Sequence, residues 1–326
     1  MNTRRIIIFG IGFFFILAVV LGAACDTGSE STVITTPKMG DAKLMKDKVI
    51  SGTDGHMILF DQDGTIFREY ADIPLNWLCA YETENLVVFS SWEKKLSLVA
   101  FDDNWTVKRN ETIPTHNKSG TLMIDPTLIK ADDTYILTWV EIEGNINNGD
   151  AEAENGIYTV KCMKSKNLSD WKAAADILSY QKNIEDADMM FLDGTLYYFF
   201  EKEEYDKGPS SINVIMSRDY GRSWQDETTL LAPVADHELA SVEAEKDGVV
   251  LYYSSDADSP GTSYTGAKIY QSFFTKDFKS KDNRVMDIGE DKGILLYDTK
   301  KAAEGRYYLY ARDYCKDNDL VWTLKK

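Results

Sequence analysis

Three acidic residues, Asp125, Asp186 and Glu238, open segments of the chain that share one pattern. Asp125 and Asp186 each stand ten residues before an apolar, aromatic run, and Glu238 matches them after a small shift. Clustered carboxyl groups suit glycoside hydrolysis, which needs a protonated acid for the leaving oxygen and an ionised base for water. Repulsion between the carboxylates would raise one pKa and supply the acid. The pattern therefore predicts hydrolytic chemistry if the fold brings the three side chains together.

The segments that would position these residues form a repeat. Each has a polar opening, an apolar run, a turn with Asp, Asn or Gly, and then an aromatic run rich in β-formers. Their starts are roughly 50 to 60 residues apart, which is typical of four-stranded propeller blades. The repeats begin at Asn76, Asp125, Asp186, Glu238 and, more weakly, Tyr297. This predicts an all-β fold, a five-bladed β-propeller of four-stranded antiparallel blades whose ring is closed by the N-terminal strands.

Further candidates for substrate binding come from the same positions. Asn76 and Asp298 occupy the openings of the first and fifth repeats. Trp77 could offer an aromatic platform to a sugar, although most aromatic rings in such strands pack between blades. Arg306 is a candidate cation in the last repeat. Inner strands of a propeller begin on the same face, so these side chains could converge around the axis.

The N-terminus carries the pattern of an export signal. Arg4 and Arg5 precede an apolar run over residues 6–21, which is too short and too close to the terminus to favour a permanent membrane span. Cys25 follows small residues and resembles the lipobox of bacterial lipoproteins, in which the cysteine is acylated. We expect a protein of the cell envelope that is anchored to the membrane only through a lipid on Cys25, or secreted if Cys25 is not lipidated.

The sequence therefore divides into three regions. Residues 1–24 are predicted to form a signal peptide. Residues 25–48 are rich in Thr, Ser, Gly and charge, which predicts a flexible tether. Residues 49–326 are predicted to form the propeller domain.

Composition excludes several kinds of partner. The formal net charge of −17 argues against nucleic acid and against an anionic membrane surface. After Cys25, the cysteines are Cys79, Cys162 and Cys315, and none stands in a Cys-x-x-Cys pair, so neither a disulfide framework nor a zinc site is predicted. The three histidines are scattered. We therefore predict no metal and no cofactor, with a carbohydrate as substrate or ligand.

One motif indicates the fold more than the chemistry. Ser217, Asp219, Gly221 and Trp224 fit the pattern S-x-D-x-G-x-x-W, which resembles the Asp box of sialidases and related propellers. Asp219 can accept hydrogen bonds from backbone N–H groups in the turn, and Gly221 permits a positive φ. Trp224 can pack under the hairpin. The motif is expected to be structural.

The repeat openings resemble those of a known enzyme family. Residues 124–137 and 185–199 resemble inner-strand segments of family-43 glycoside hydrolases, and residues 237–253 loosely resemble the segment that carries that family's general acid. The turn SKNLSDW is similar to one in families 43 and 32. The resemblance implies an inverting glycoside hydrolase with Asp186 as orienting carboxylate and Glu238 as acid, and we predict Asp125 as the base. In that case the carboxyl groups of Asp125 and Glu238 lie about 6.5 to 9.5 Å apart.

The sequence departs from the family at the catalytic base. The family's base opens its first blade, and that position here is Asn76, which cannot act as a base. Either Asp125 has taken the role, or the blade count is off by one, or the chain is a non-catalytic propeller lipoprotein that binds a glycan or a protein. Glu243 and Glu245 compete with Glu238 for the role of acid.

Some residues of the sequence fit two other activities. A sialidase-like exo-glycosidase needs three arginines around the substrate carboxylate, for which Arg68, Arg306 and Arg312 are the candidates. Asp61 and Asp63 lie in the sequence FDQDGT, which resembles the nucleophile motif of haloacid-dehalogenase-like phosphatases. That chemistry needs an α/β fold, so a strand–turn–strand hairpin is the simpler interpretation.

Overall fold

The computed structural model describes most of the chain after residue 40. The described ranges are 30–34, 41–61, 63–116, 120–144, 156–289, 292–301 and 306–325. The predicted signal peptide and Cys25 lie outside them. The helices in these ranges are short 3₁₀ turns, at Thr53–Gly55, Glu82–Glu84 and Ser263–Thr265. No helix among the described residues has the length and apolar character needed to cross a membrane.

Within the described ranges, 24 strands form six antiparallel sheets of four strands each, which we call blades 1 to 6. The first strand, β1, spans Glu30–Ile34. Blade 1 contains β2 (Ala42–Met45), β3 (Lys48–Ser51), β4 (His56–Asp61) and β5 (Ile66–Pro74). Blade 2 contains β6 (Trp77–Tyr81), β7 (Leu86–Ser91), β8 (Lys95–Phe101) and β9 (Val107–Thr112). Blade 3 contains β10 (Leu122–Ala131), β11 (Thr134–Glu143), β12 (Ile157–Ser165) and β13 (Ala175–Gln181).

The second half of the chain repeats the arrangement. Blade 4 contains β14 (Asn183–Leu192), β15 (Thr195–Glu203), β16 (Ser210–Ser217) and β17 (Thr228–Ala235). Blade 5 contains β18 (His237–Glu245), β19 (Gly248–Ser255), β20 (Lys268–Thr275) and β21 (Ser280–Val285). Blade 6 contains β22 (Ile294–Lys301), β23 (Arg306–Asp313), β24 (Asn318–Lys325) and the N-terminal strand β1.

The six blades form a closed ring. The first strand of each blade contacts the first strand of the next, and β22 of blade 6 contacts β2 of blade 1. The strand β1 pairs antiparallel with β24, so that Glu30 lies opposite Thr323 and Ile34 opposite Asp319. The expectation that an N-terminal strand completes the last blade is therefore confirmed. The fold is a β-propeller.

The expected number of five blades is wrong, since the described residues form six. The repeat that is visible in the sequence begins at Asn76, and a complete blade precedes it. The inner strands of that blade, β2 and β3, have only four residues each and carry Lys43 and Lys48, so they lack a long apolar run. They begin in residues 25–48, and β1 lies there too, so the described part of the predicted tether belongs to the propeller.

The hydrophobic core lies between the blades, with one buried cluster at each of the six interfaces of the described ring. The strand β19 shows how the sequence builds it. Successive side chains on a strand point to opposite faces. Leu251 and Tyr253 accordingly pack toward blade 4, while Val250 and Tyr252 pack toward blade 6. Because both faces are covered, the strands read as continuous apolar runs rather than as alternating ones.

Two turns behave as their sequences predict. The carboxylate of Asp219 accepts hydrogen bonds from the backbone N–H groups of Arg222 and Ser223, each at 2.9 Å. Gly221 has a φ of 71°, and Trp224 packs against the cluster between blades 3 and 4. These contacts stabilise the hairpin.

The turn between β4 and β5 is structural as well. Asp63 accepts a hydrogen bond from the backbone N–H of Thr65 at 3.0 Å, and Asp61 pairs with Lys48 at 2.9 Å. The two flanking strands are antiparallel neighbours in one blade. This is the hairpin expected from the sequence. The described residues do not form the α/β fold that the phosphatase alternative requires.

Replacing Phe199 tests the packing between blades. Phe199 is fully buried between blades 4 and 5. Phe199→Ala should lower the free energy of unfolding by about 3–5 kcal/mol, because it removes apolar contacts and leaves a cavity. Urea unfolding measures the change. The control Val234→Ala, at a side chain that is 71% exposed, should have little effect. Equal stability of both variants would contradict the packing described here.

Candidate functional site

A cavity of about 320 Å³ lies at the centre of the ring, and all six blades contribute to its wall. Its lining is strongly acidic. The carboxyl groups belong to Asp41, Asp125, Glu185, Asp186, Asp188, Asp206, Glu238 and Asp298. Lys43 is the single basic residue that lines the cavity in the described part of the chain. The three predicted catalytic residues thus lie in one cavity, although they are far apart in sequence.

Asp125 and Asp186 occupy equivalent positions in blades 3 and 4. Each lies in a β-bulge on the innermost strand of its blade, between Ile124 and Thr127 or between Glu185 and Asp188. Each has a left-handed backbone, with φ of 45° at Asp125 and 48° at Asp186. Asp adopts this conformation more readily than most residues, and bulges re-aim side chains. Strained positions of this kind cluster at functional sites.

The backbone also connects these two residues. The N–H of Asp186 donates a hydrogen bond of 3.2 Å to Oδ2 of Asp125. Burial, followed by the charges of Asp186 and Glu185, raises the pKa of Asp125 well above its usual value. A general base must be ionised, whereas a raised pKa favours the protonated form. The shift therefore opposes the predicted role of Asp125 unless the negative charge of its neighbours is neutralised.

Glu238 has the environment of a protonated acid. It lies on β18, is 7% exposed, and has an oxygen within 4.8 Å of oxygens of Asp186 and Glu201. Burial, followed by the charges of Glu201, Asp186 and Asp236, raises the pKa of Glu238 well above its usual value. Glu243 and Glu245 follow on the same strand but do not line the cavity. The structure therefore favours Glu238 among these three glutamates.

Asp186 is the most readily ionised of the three predicted catalytic groups. Burial raises the pKa of Asp186 to about 6, while a hydrogen bond with Glu238 and the charge of Lys43 oppose the rise. The pKa of Asp186 is therefore raised less than that of Glu238, and this difference favours an ionised Asp186 beside a protonated Glu238. A protonated carboxyl group next to an ionised one is the arrangement expected of a general acid and the residue that orients it.

Lys43 supplies the positive charge at the centre of the ring. Its Nζ donates a hydrogen bond of 2.9 Å to the carbonyl oxygen of Tyr297. Burial alone would lower the pKa of Lys43. The negative charges of Asp298, Asp41, Asp186 and Asp188 raise it by a larger amount, so the pKa lies above the usual value for lysine. The ammonium therefore stays charged and offsets part of the carboxylate repulsion.

Three of the lining carboxylates also connect blades. Asp41, Asp188 and Asp298 each accept a hydrogen bond from a backbone N–H in the next blade. The donors are Leu78 at 2.9 Å, Val242 at 2.7 Å and Leu44 at 2.7 Å, respectively. These carboxylates therefore fix neighbouring inner strands to one another, and this is a structural role in addition to lining the cavity.

The predicted substrate-binding residues separate into two groups. Trp77 and Asp298 line the cavity, and the Trp77 ring meets that of Trp92 edge-on at 5.0 Å. Asn76 is not among the described residues that line it. Its Oδ1 accepts a 3.1 Å hydrogen bond from the backbone N–H of Trp92, so its amide stabilises a turn instead. Arg306 lies on β23, and its side chain is outside the described residues.

The position of Asn76 follows from the blade count. With blade 1 ahead of it, Asn76 opens blade 2, so the alternative that the count was off by one holds. The residue that precedes the inner strand of blade 1 is Asp41, and its carboxyl group lines the cavity. Asp41 and Lys43 were not predicted to line a site, because they fall in the segment expected to be a tether.

Other missed residues have different explanations. Asp188 stands two residues after Asp186, and this spacing could have been read from the sequence. Asp206 and Tyr264 come from connections between strands, and Tyr264 donates a 3.1 Å hydrogen bond to Asp206. No repeat marks these connections, so sequence periodicity could not have found them.

The arginine triad of a sialidase is not formed by the described side chains. No arginine lines the cavity in the ranges that the structure describes. Arg68 donates a 2.8 Å hydrogen bond to the carbonyl oxygen of Trp105, and Arg312 pairs with Asp317. Both therefore lie elsewhere, which removes the support for this alternative.

Comparison with known proteins gives a fold and no family. No protein-family model matches the sequence. No curated protein matches it either. Among solved structures, an α-L-arabinanase of Penicillium chrysogenum complexed with arabinobiose matches with a TM-score of 0.57 and 10% identity, over 91% of this chain and 97% of that chain.

Two further structures have the same fold. An α-L-arabinofuranosidase of Fusarium graminearum in complex with an iminosugar inhibitor matches with a TM-score of 0.54 and 11% identity, over 91% of this chain and 97% of that one. A thermostable family-43 glycoside hydrolase matches with a TM-score of 0.51 and 15% identity, over 80% and 96%. At these identities the likeness shows a shared fold alone.

The buried carboxyl groups predict a stability that depends on pH. Burial raises the pKa of Asp298 to about 7 and that of Asp186 to about 6, from 3.8. The folded state therefore holds protons that the unfolded chain releases near pH 4, so stability is greatest in acid and declines as pH rises through 6 and 7. The thermal unfolding midpoint in buffer with EDTA should fall between about pH 5 and pH 8.

Lys43→Met provides the matched variant for that prediction. Without the ammonium, carboxylate repulsion should increase, so the fall in the unfolding midpoint should be steeper than in the wild type. A midpoint that rises or stays level over this range in both proteins would contradict the electrostatics described here.

Proposed function

We propose that the chain is a glycoside hydrolase that acts on a glycan or oligosaccharide in the central cavity. The observation that carries the proposal is the convergence of Asp125, Asp186 and Glu238, from three consecutive blades, on one cavity. Paired carboxyl groups with separated pKa values are the equipment of glycoside hydrolysis. The fold shared with glycoside hydrolases supports the proposal without identifying the reaction.

Glu238 is assigned as the general acid and Asp186 as the residue that orients it. Their oxygens lie within 4.8 Å of each other. An inverting enzyme places its acid and base about 6.5–9.5 Å apart to leave room for water. Asp186 is therefore too close to Glu238 to be the base of an inverting enzyme, and an orienting role fits its position.

Asp125 is assigned as the base, and Asp41, which opens blade 1, is assigned the structural role of accepting the hydrogen bond from the backbone N–H of Leu78. It lies beyond Asp186 on the neighbouring blade, where the backbone N–H of Asp186 holds its Oδ2. Part of the rise in the pKa of Asp125 comes from the charges of Asp186 and Glu185. Burial and neighbouring charge raise the pKa of Glu185 to about 8, so Glu185 is largely protonated at neutral pH and its repulsion is reduced. This favours ionisation of Asp125.

The character of the cavity suggests the substrate. Eight carboxyl groups and one lysine line it in the described residues, which disfavours polyanionic glycans. Trp77, Tyr264 and Tyr314 also line it and provide aromatic surface for sugar rings. A cavity of about 320 Å³ is at the small end of ligand pockets. We therefore propose a short neutral glycan or the end of a longer one.

Activity should depend on the carboxyl groups of the cavity. The test is hydrolysis of arabino-, xylo-, galacto- and sialyl-oligosaccharides by the chain from residue 26. Glu238→Gln and Asp125→Asn should each reduce kcat by about 10²–10⁴, the usual contribution of a general acid or base. Asn tolerates the positive φ of Asp125, so this variant isolates the loss of charge.

Matched controls are Glu69→Gln and Asp72→Asn, because both side chains are exposed and outside the cavity. Hydrolysis that survives both cavity variants would place the active site elsewhere. Saturable sugar binding by a folded protein without hydrolysis would instead support the non-catalytic glycan-binding propeller.

We further propose that the protein is exported and lipid-anchored through Cys25, with residues 1–24 as the signal peptide. The support is the Arg4–Arg5 pair, the apolar run and the small residues before Cys25. In bacterial cells fed labelled palmitate, the protein should be labelled and recovered with membranes. Cys25→Ala should abolish labelling and release the protein to the soluble fraction. A labelled Cys25→Ala variant would contradict the assignment.

A further inference from the structure

A second group of carboxylates lies behind the cavity, where blades 4 and 5 meet. Glu201 and Glu203 are on β15, and Asp236 joins β17 to β18. Their exposed fractions are 0%, 2% and 4%. One oxygen of each residue lies within 4.8 Å of one oxygen of each of the others. None of the three lines the cavity itself.

Several oxygens of this group are buried without a hydrogen-bond partner. They are both carboxylate oxygens of Glu201, Oε2 of Glu203 and Oδ1 of Asp236. The nearby hydroxyl of Ser210 donates to the carbonyl oxygen of His237 at 2.8 Å. Buried carboxylate oxygens that lack donors are costly, so they indicate that something else occupies the space between them.

No basic side chain among the described residues neutralises these carboxylates. None of the ion pairs formed by the described residues involves Glu201, Glu203 or Asp236. The imidazole of His237 is engaged elsewhere, with Nδ1 2.8 Å from Ser255 Oγ and Nε2 3.2 Å from the carbonyl oxygen of Ala232. The group therefore has neither a positive partner nor an available imidazole.

Neighbouring hydrogen bonds hold two of the carboxylates in place. The Nδ2 atom of Asn183 donates to Oε1 of Glu203 at 2.6 Å, and the hydroxyl of Ser263 donates to Oδ2 of Asp236 at 2.5 Å. The other oxygen of each carboxylate, Oε2 of Glu203 and Oδ1 of Asp236, lacks a hydrogen-bond partner. Supporting bonds of this kind orient the ligands of metal ions.

We propose that Glu201, Glu203 and Asp236 bind a Ca²⁺ ion between blades 4 and 5. Calcium–oxygen distances are about 2.3–2.6 Å, so oxygens on one ion are at most about 5 Å apart, in agreement with the spacing of this group. The donors are all oxygens, which suits a hard cation and disfavours zinc. Mg²⁺ requires a stricter octahedral geometry and retains more water.

The ion would connect two blades next to the candidate catalytic acid. Glu201 and Glu203 belong to blade 4, and Asp236 leads directly into β18 of blade 5. An oxygen of Glu201 also lies within 4.8 Å of oxygens of Asp186 and Glu238. The Ca²⁺ ion would therefore hold the wall of the cavity and neutralise buried charge, whichever reaction the cavity carries out.

Calcium titration of the EDTA-treated full chain tests this site without any assay of activity. Isothermal titration with CaCl₂ should show one ion bound per chain, and the thermal unfolding midpoint should rise with calcium concentration. Glu201→Gln should abolish both responses. In EDTA the same variant should unfold at a higher temperature than the wild type, because it removes a buried like charge. The exposed control Glu69→Gln should behave as the wild type does.

Two results would overturn the site. Absence of binding and of any thermal shift at millimolar CaCl₂ would mean that the carboxyl groups are protonated and share protons. Undiminished calcium binding by Glu201→Gln would mean that the ion lies elsewhere. If Glu201→Gln does not fold, Asp236→Asn answers the second question and the wild-type titration still answers the first.

Discussion

The structure depends on holding many carboxyl groups close together around the axis of the propeller. Lys43 is the one basic residue among those that line the cavity in the described ranges, and it faces Asp41, Asp186, Asp188 and Asp298. Burial and mutual repulsion therefore raise most of the carboxyl pKa values, and Lys43 limits the rise at Asp186. The pKa values of neighbouring carboxyl groups therefore differ, and this difference favours different protonation states, which acid–base chemistry requires.

The surrounding ring maintains this arrangement. Apolar clusters between all six blades fix the inner strands, and backbone N–H groups bind Asp41, Asp188 and Asp298 across blade boundaries. The bulges at Asp125 and Asp186 occupy equivalent positions in two blades, and they direct the carboxylates of these residues to the cavity. The geometry of the cavity is therefore a property of the closed ring, and the proposed calcium site would strengthen it between blades 4 and 5.

Sequence periodicity was sufficient to predict the propeller and the convergence of Asp125, Asp186 and Glu238 on one cavity. Buried strands with two covered faces give strong apolar runs, and these runs mark the repeats. Periodicity failed at blade 1, whose short inner strands carry Lys43 and Lys48 and resemble a polar linker. It also failed for Asp206 and Tyr264, since connections between strands carry no repeat. A polar residue at a repeat opening can bond a turn as readily as it can face the axis, and the amide of Asn76 bonds a turn.

The most direct test of the central claim is a crystal structure of Glu238→Gln with an oligosaccharide that the wild type cleaves. We predict a sugar in the central cavity, with its glycosidic oxygen within hydrogen-bonding distance of residue 238 and Asp125 on the opposite side of the scissile bond. A sugar bound outside the cavity, or one whose glycosidic oxygen faces neither residue, would contradict the account.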